Sequence, residues 1–66
     1  MISVSINGER REFADGCTVA AMLSRLSVGG RCAVEVNEHL VTRGEHSRFA
    51  LREGDRVEIV RAVGGG

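Results

Sequence analysis

The chain opens on an alternation. Ile2, Val4 and Ile6 are apolar while Ser3 and Ser5 are polar, the period of two expected of a strand with one buried face. Asn7-Gly8 follows, a strong signal for a two-residue hairpin. "ERREFA" (9–14) then reads as the return strand, with Phe13 its core residue and Asp15-Gly16 its end. The period now changes. Thr18 suits a helix N-cap, and Val19, Met22, Leu23 and Leu26 recur at i, i+3, i+4 and i+7, the stripe of a short amphipathic helix. Gly29-Gly30 is the expected stop. "RCAVEVN" (31–37) returns to period two: Cys32, Val34 and Val36 share one face, Ala33, Glu35 and Asn37 the other. Glu38-His39 is the expected turn and "LVT" (40–42) a short strand. "RGEHSRFAL" (43–51) shows neither period and reads as a loop with one helical turn, anchored by Phe49 and Leu51. After a turn at Glu53-Gly54-Asp55, "RVEIVRAV" (56–63) is the last strand. Val57 and Ile59 face inward; Val60 and Ala62 face the other way.

A hairpin, one helix and further strands describe an α+β roll. So short a helix needs a sheet to lie on. The first and last strands can then run side by side in parallel, joined by a right-handed crossover. This is the β-grasp, the shape of ubiquitin: a mixed sheet of four to five strands with one main helix packed on one face. The expected division is a β-grasp domain over residues 1–63 and a flexible glycine tail over 64–66.

Composition narrows the function. Sixty-six residues make one domain, and a chain this short hides only about 60% of its unfolded surface, which argues against a deep catalytic pocket. Nine arginines balance nine acids, so the basic surplus of a nucleic-acid binder is missing. Phe13 and Phe49 are the only aromatics, too few for base stacking. No lysine is present for Schiff-base or acceptor chemistry. No apolar run approaches the ~18 residues of a membrane helix, and "MISVSINGERR" lacks the pattern of a secretory signal. The expectation is a cytoplasmic protein without membrane contact, and in that compartment Cys17 and Cys32 are read as free thiols. Cys17, Cys32, His39 and His46 are metal-ligand types without metal-site spacing. Neither a nucleophile motif nor a lysine-bearing phosphate loop is present.

The remaining chemistry lies in "RAVGGG" (61–66). Glycine resists being built into a core, but no Cβ obstructs a narrow channel and every backbone angle is open to it. The group so carried is the α-carboxylate of Gly66. A carboxylate is a poor electrophile until ATP converts it to an acyl-adenylate, from which AMP leaves readily. Another protein would have to supply that site, with the folded body providing remote binding energy. Val60 and Ala62, on the face without the helix, are docking candidates by parity.

"LREGDRVEIVRAVGGG" (51–66) closely resembles the L-x-x-G-D-x-V-x-(I/V)-x-x-A-V-G-G-G ending of the ThiS family, the sulfur carrier proteins of thiamine biosynthesis. "INGE" at the first hairpin and "VEVN" through "LVTR" also match, so the resemblance spans the chain. It departs from the family at Thr42, where proline is usual, and at His46, where an aromatic is common. The resemblance implies a carrier that is not itself an enzyme and holds no nucleotide or metal. A ThiF-type adenylyltransferase would activate Gly66 with ATP and magnesium, and sulfur from a cysteine desulfurase or related donor would give a thiocarboxylate. A ThiG-type thiazole synthase would accept that sulfur. Gly64 and Gly65 would form the flexible stem, with Val63 joining Val60 and Ala62 in docking. Three alternatives remain at this point: a sulfur carrier for another pathway, a ubiquitin-like modifier conjugated through its terminal glycine, and an interaction module with an inert tail.

Overall fold

A computed structural model describes residues 1–61. β1 (Ile2–Ile6) and β2 (Glu9–Phe13) form an antiparallel hairpin. Asn7 and Gly8 make its turn with φ of 50° and 88°, the paired left-handed backbone that lets a two-residue loop match the strand twist. Helix α1 (Val19–Arg25) leads to β3 (Cys32–Val36), β4 (His39–Val41), a 3₁₀ turn (Arg43–Glu45) and β5 (Arg56–Arg61). The strand order is β2-β1-β5-β3-β4. β1 and β5 are parallel, and the other neighbours are antiparallel. This is the expected α+β roll, with the first and last strands side by side.

The inward parities come together under the helix. Val19, Met22, Val34 and Val57 are fully buried, and Val4, Ile6, Phe13, Val36, Val41 and Leu51 complete the core. Leu23, Leu26 and Phe49 pack against its margin. On β2 only Phe13 is buried. Arg10 and Glu12 pair at 3.0 Å on that strand, and such charge on an edge strand discourages pairing with other chains.

The aperiodic stretch 43–51 turns out to be a backbone cap. The first N–H groups of a helix have no partner within it. Here Val19 N–H donates to Phe49 C=O at 2.9 Å and Ala20 N–H to His46 C=O at 2.8 Å. Ala21 N–H donates to Thr18 Oγ1 at 3.1 Å, the expected N-cap. Leu51 N–H returns a bond to Cys17 C=O at 2.8 Å. The two positions that depart from the family pattern stabilise this loop. Thr42 donates through N–H and Oγ1 to the Glu45 carboxylate, each at 2.9 Å. His46 Nε2 donates to Val41 C=O at 3.3 Å.

Two boundaries differ from the sequence reading. The helix stops before Gly29-Gly30: Ser27 adopts φ 58°, its N–H bonds Ser24 C=O at 3.1 Å, and Val28 N–H bonds Leu23 C=O at 3.0 Å. That pair of bonds is a Schellman closure with serine where glycine is usual. The second hairpin turns at Asn37-Glu38, with φ of 52° and 71°, one residue before the expected Glu38-His39. A two-residue turn needs two consecutive positive φ angles, which Asn37 adopts more readily than His39. β4 accordingly begins at His39 and ends at Val41.

Candidate functional site

β5 is the central strand and carries the chain toward residues 62–66. Its two neighbours support it unequally. β3 stays beside it to the end, with Val34 opposite Ile59, Ala33 opposite Val60 and Cys32 opposite Arg61. β1 stops sooner, pairing only Ser5 with Arg56 and Ile6 with Val57. Val57 is buried and Ile59 half-buried toward the helix, while Glu58 and Val60 lie on the opposite face. Val60 is 65% exposed, as its parity predicted. Ala62, Val63, Gly64, Gly65 and Gly66, including the proposed tail and the reacting residue, lie outside the described residues.

The face around Val60 holds more apolar surface than the sequence reading assigned to it. Ala33 is directly across the ladder, and Leu40 on β4, 62% exposed, stands opposite Glu35 on the same face. The signal for Leu40 was its parity, opposite to that of buried Val41. Glu35 and Glu58 face each other across the ladder, a like-charge pair that costs stability. Beyond them, Arg31, Cys32, Ala33, Val60 and Arg61 line an open groove beside the last described residues of β5.

Two turn asparagines hold β5 from opposite sides, a role the sequence reading missed because it used Asn7 only as a turn residue. Asn7 Oδ1 accepts from Ile59 N–H at 2.8 Å and its Nδ2 donates to Ile59 C=O at 3.1 Å. Asn37 Oδ1 accepts from Arg56 N–H at 2.9 Å and its Nδ2 donates to Asp55 Oδ1 at 3.0 Å.

Cys17 and Cys32 are both free thiols. Burial pushes the Cys17 thiol pKa up, and the positive charge of Arg25 only partly opposes it. Cys17 is therefore a poor nucleophile, and its Sγ–H donates to Thr18 C=O at 3.5 Å. Among the described residues no three potential metal ligands come together. No helix among them is long and apolar enough to cross a membrane.

Comparison with known proteins agrees with this geometry. A thiazole synthase of Paramagnetospirillum magneticum is 44% identical over 62 residues, covering 92% of this chain and 19% of that protein. A thiazole synthase of Magnetococcus marinus is 33% identical over 66 residues, covering 98% of this chain and 20% of that protein. The chain thus spans about a fifth of the length of these relatives. The crystal structure of the thiamine biosynthesis protein ThiS from Geobacter metallireducens superposes with a TM-score of 0.83 at 28% identity, over 98% of this chain and all of that one. Its β-grasp architecture is the one derived above. The ThiS family model matches residues 4–66, from the first strand through the last glycine, and the chain belongs to the ThiS family.

Proposed function

We propose that this chain carries sulfur as a thiocarboxylate on Gly66 and delivers it for thiazole formation in thiamine biosynthesis. The observation that carries the reading is the extent of the family match, which continues through Gly66. The thiazole synthase relatives, in which a like segment belongs to the same polypeptide as the rest of the synthase, support a ThiG-type enzyme as the sulfur acceptor.

The chemistry divides between the chain and its partners. A ThiF-type adenylyltransferase, using ATP and magnesium, joins the Gly66 carboxylate to AMP and releases pyrophosphate. The terminal sulfur of a persulfide, formed on a donor such as a cysteine desulfurase, attacks the acyl carbon and expels AMP. A thiol then reduces the resulting S–S bond and leaves the thiocarboxylate. The chain contributes its terminal acid, the slender Gly64-Gly65 stem and a docking surface that includes Val60, Ala62 and Val63. It is regenerated when the acceptor takes the sulfur, which makes it a co-substrate rather than a catalyst.

Intact-mass measurement after incubation with the activating enzyme, ATP and a sulfur source tests the reading. The expected product has one oxygen replaced by sulfur at Gly66, and an alanine appended after Gly66 abolishes it. Covalent conjugates to other proteins, with no thiocarboxylate formed, would instead establish a modifier.

A further inference from the structure

We infer that Asn7 is a positioning residue for the terminal glycine: its carboxamide replaces the missing end of β1 and fixes β5 at Ile59, upstream of the glycines. This rests on the sulfur-carrier reading. Asp55, Val57 and Ile59 turn their main-chain groups toward the β1 side. Ser5 N–H donates to Asp55 C=O at 3.0 Å and Asn7 N–H to Val57 C=O at 2.9 Å. The next station is Ile59, but β1 has already turned away at Asn7-Gly8. The side chain of Asn7 occupies that place, accepting from Ile59 N–H at 2.8 Å and donating to its C=O at 3.1 Å. A primary amide presenting both atoms to one residue reproduces the two bonds a neighbouring strand would make.

Ile59 is therefore the last residue of β5 that Asn7 and the β1 side can pin. Gly66 lies seven positions beyond it, a reach of at most about 25 Å. If the Ile59 contact opens, the strand end is held from the β3 side alone and its direction spreads. An activating enzyme must then order more chain before the carboxylate reaches its nucleotide site, and productive binding weakens. Asn37 is a built-in control. It grips the same strand at Arg56, on the other side and farther from the glycines.

The test compares Asn7→Gly with Asn37→Gly in the full-length carrier. Glycine keeps the positive φ of each turn and removes only the carboxamide. Both variants should melt at lower temperature than the wild type. Hydrogen exchange should lose Ile59 amide protection only in Asn7→Gly, and Arg56 protection only in Asn37→Gly. In thiocarboxylate formation, Asn7→Gly should raise the KM for carrier roughly tenfold at nearly unchanged kcat, whereas Asn37→Gly should stay within about twofold, since only the first alters presentation. Asn7→Asp keeps the acceptor for Ile59 N–H but loses the donor to its C=O, and should raise KM less. It also provides the measurement if Asn7→Gly does not fold. An unchanged KM in an Asn7 variant, equal KM increases at both asparagines, or an Ile59 amide that stays protected in Asn7→Gly would overturn the inference. A wild-type carrier that yields no thiocarboxylate overturns the function reading and this inference with it, whereas normal wild-type product with unchanged variant KM overturns the inference alone.

Discussion

Glu45 shows how one side chain can organise a stretch with no hydrophobic period. Its carboxylate accepts from both the N–H and the hydroxyl of Thr42, and these bonds, the backbone one first, hold its carboxyl pKa below the ordinary value of 4.5. A folded-state pKa lowered in this way stabilises the fold above the unfolded value, and the contribution is lost as pH falls through the folded one. Glu45→Ala should therefore lower Tm at neutral pH, and the difference from the wild type should shrink steadily below about pH 4. Thermal melts across that range check the sign; a gap that widens in acid would exclude the cap as its source. Thr18 acts at the other end of the same loop-helix junction. Removing its hydroxyl in Thr18→Ala exposes the Ala21 N–H and should cost about 1 kcal/mol, or a fall in Tm of about 4–8 °C for a domain of this size.

At the scale of elements, the outer face of the sheet joins two opposing requirements. Glu35 and Glu58 repel across the ladder, so Glu58→Arg should turn a like pair into an opposite one and stabilise by about 0.2–1 kcal/mol. Chemical denaturation measures that gain directly. Val60→Arg, two residues along the same strand, should leave stability nearly unchanged because the side chain is largely exposed. If the face docks the activating enzyme, the same change should reduce kcat/KM for carrier by roughly tenfold, about 1.4 kcal/mol of lost transition-state binding. Strands with one wet face announce both of their faces, so the buried Val57 and the exposed Val60 were legible from alternation alone. Thr18 was legible because an N-cap is a local arrangement. The 43–51 segment was legible as a loop with one helical turn anchored by Phe49 and Leu51, but its capping role was not, for a physical reason: that contribution runs through main-chain carbonyls of His46 and Phe49 bonded to the helix, and those leave no side-chain period. The Asn7 and Asn37 clamps were hidden too, since each joins residues far apart in sequence: the hairpin turn already explained Asn7, and Asn37 read as the end of a strand. The proposed reacting end rests on the glycines and the family pattern, and it lies outside the described residues.

On the scale of the whole molecule, the proposal separates the part that folds from the part that reacts, and that separation can be measured. A 66-residue domain has a net stability of only about 3–10 kcal/mol. Met22 is fully buried between helix and sheet, and truncating such a side chain to alanine costs about 2–5 kcal/mol. Met22→Ala should therefore remove much of the folding free energy while leaving β5 and the outer face chemically unchanged. Assayed well below its own Tm, where most molecules are folded, it should form thiocarboxylate with kcat/KM within about twofold of the wild type, since the lost contact touches no transition state. Removing Gly65 and Gly66 should do the reverse: the proposal gives them no stabilising role, so Tm should hold while sulfur loading disappears. Melting curves and intact masses on the same two variants supply all four readings. A truncated chain that still loads sulfur would place the acceptor carboxylate elsewhere. A Met22→Ala carrier that is folded yet unable to load would show that the activating enzyme reads the core's packing and not only the surface it presents.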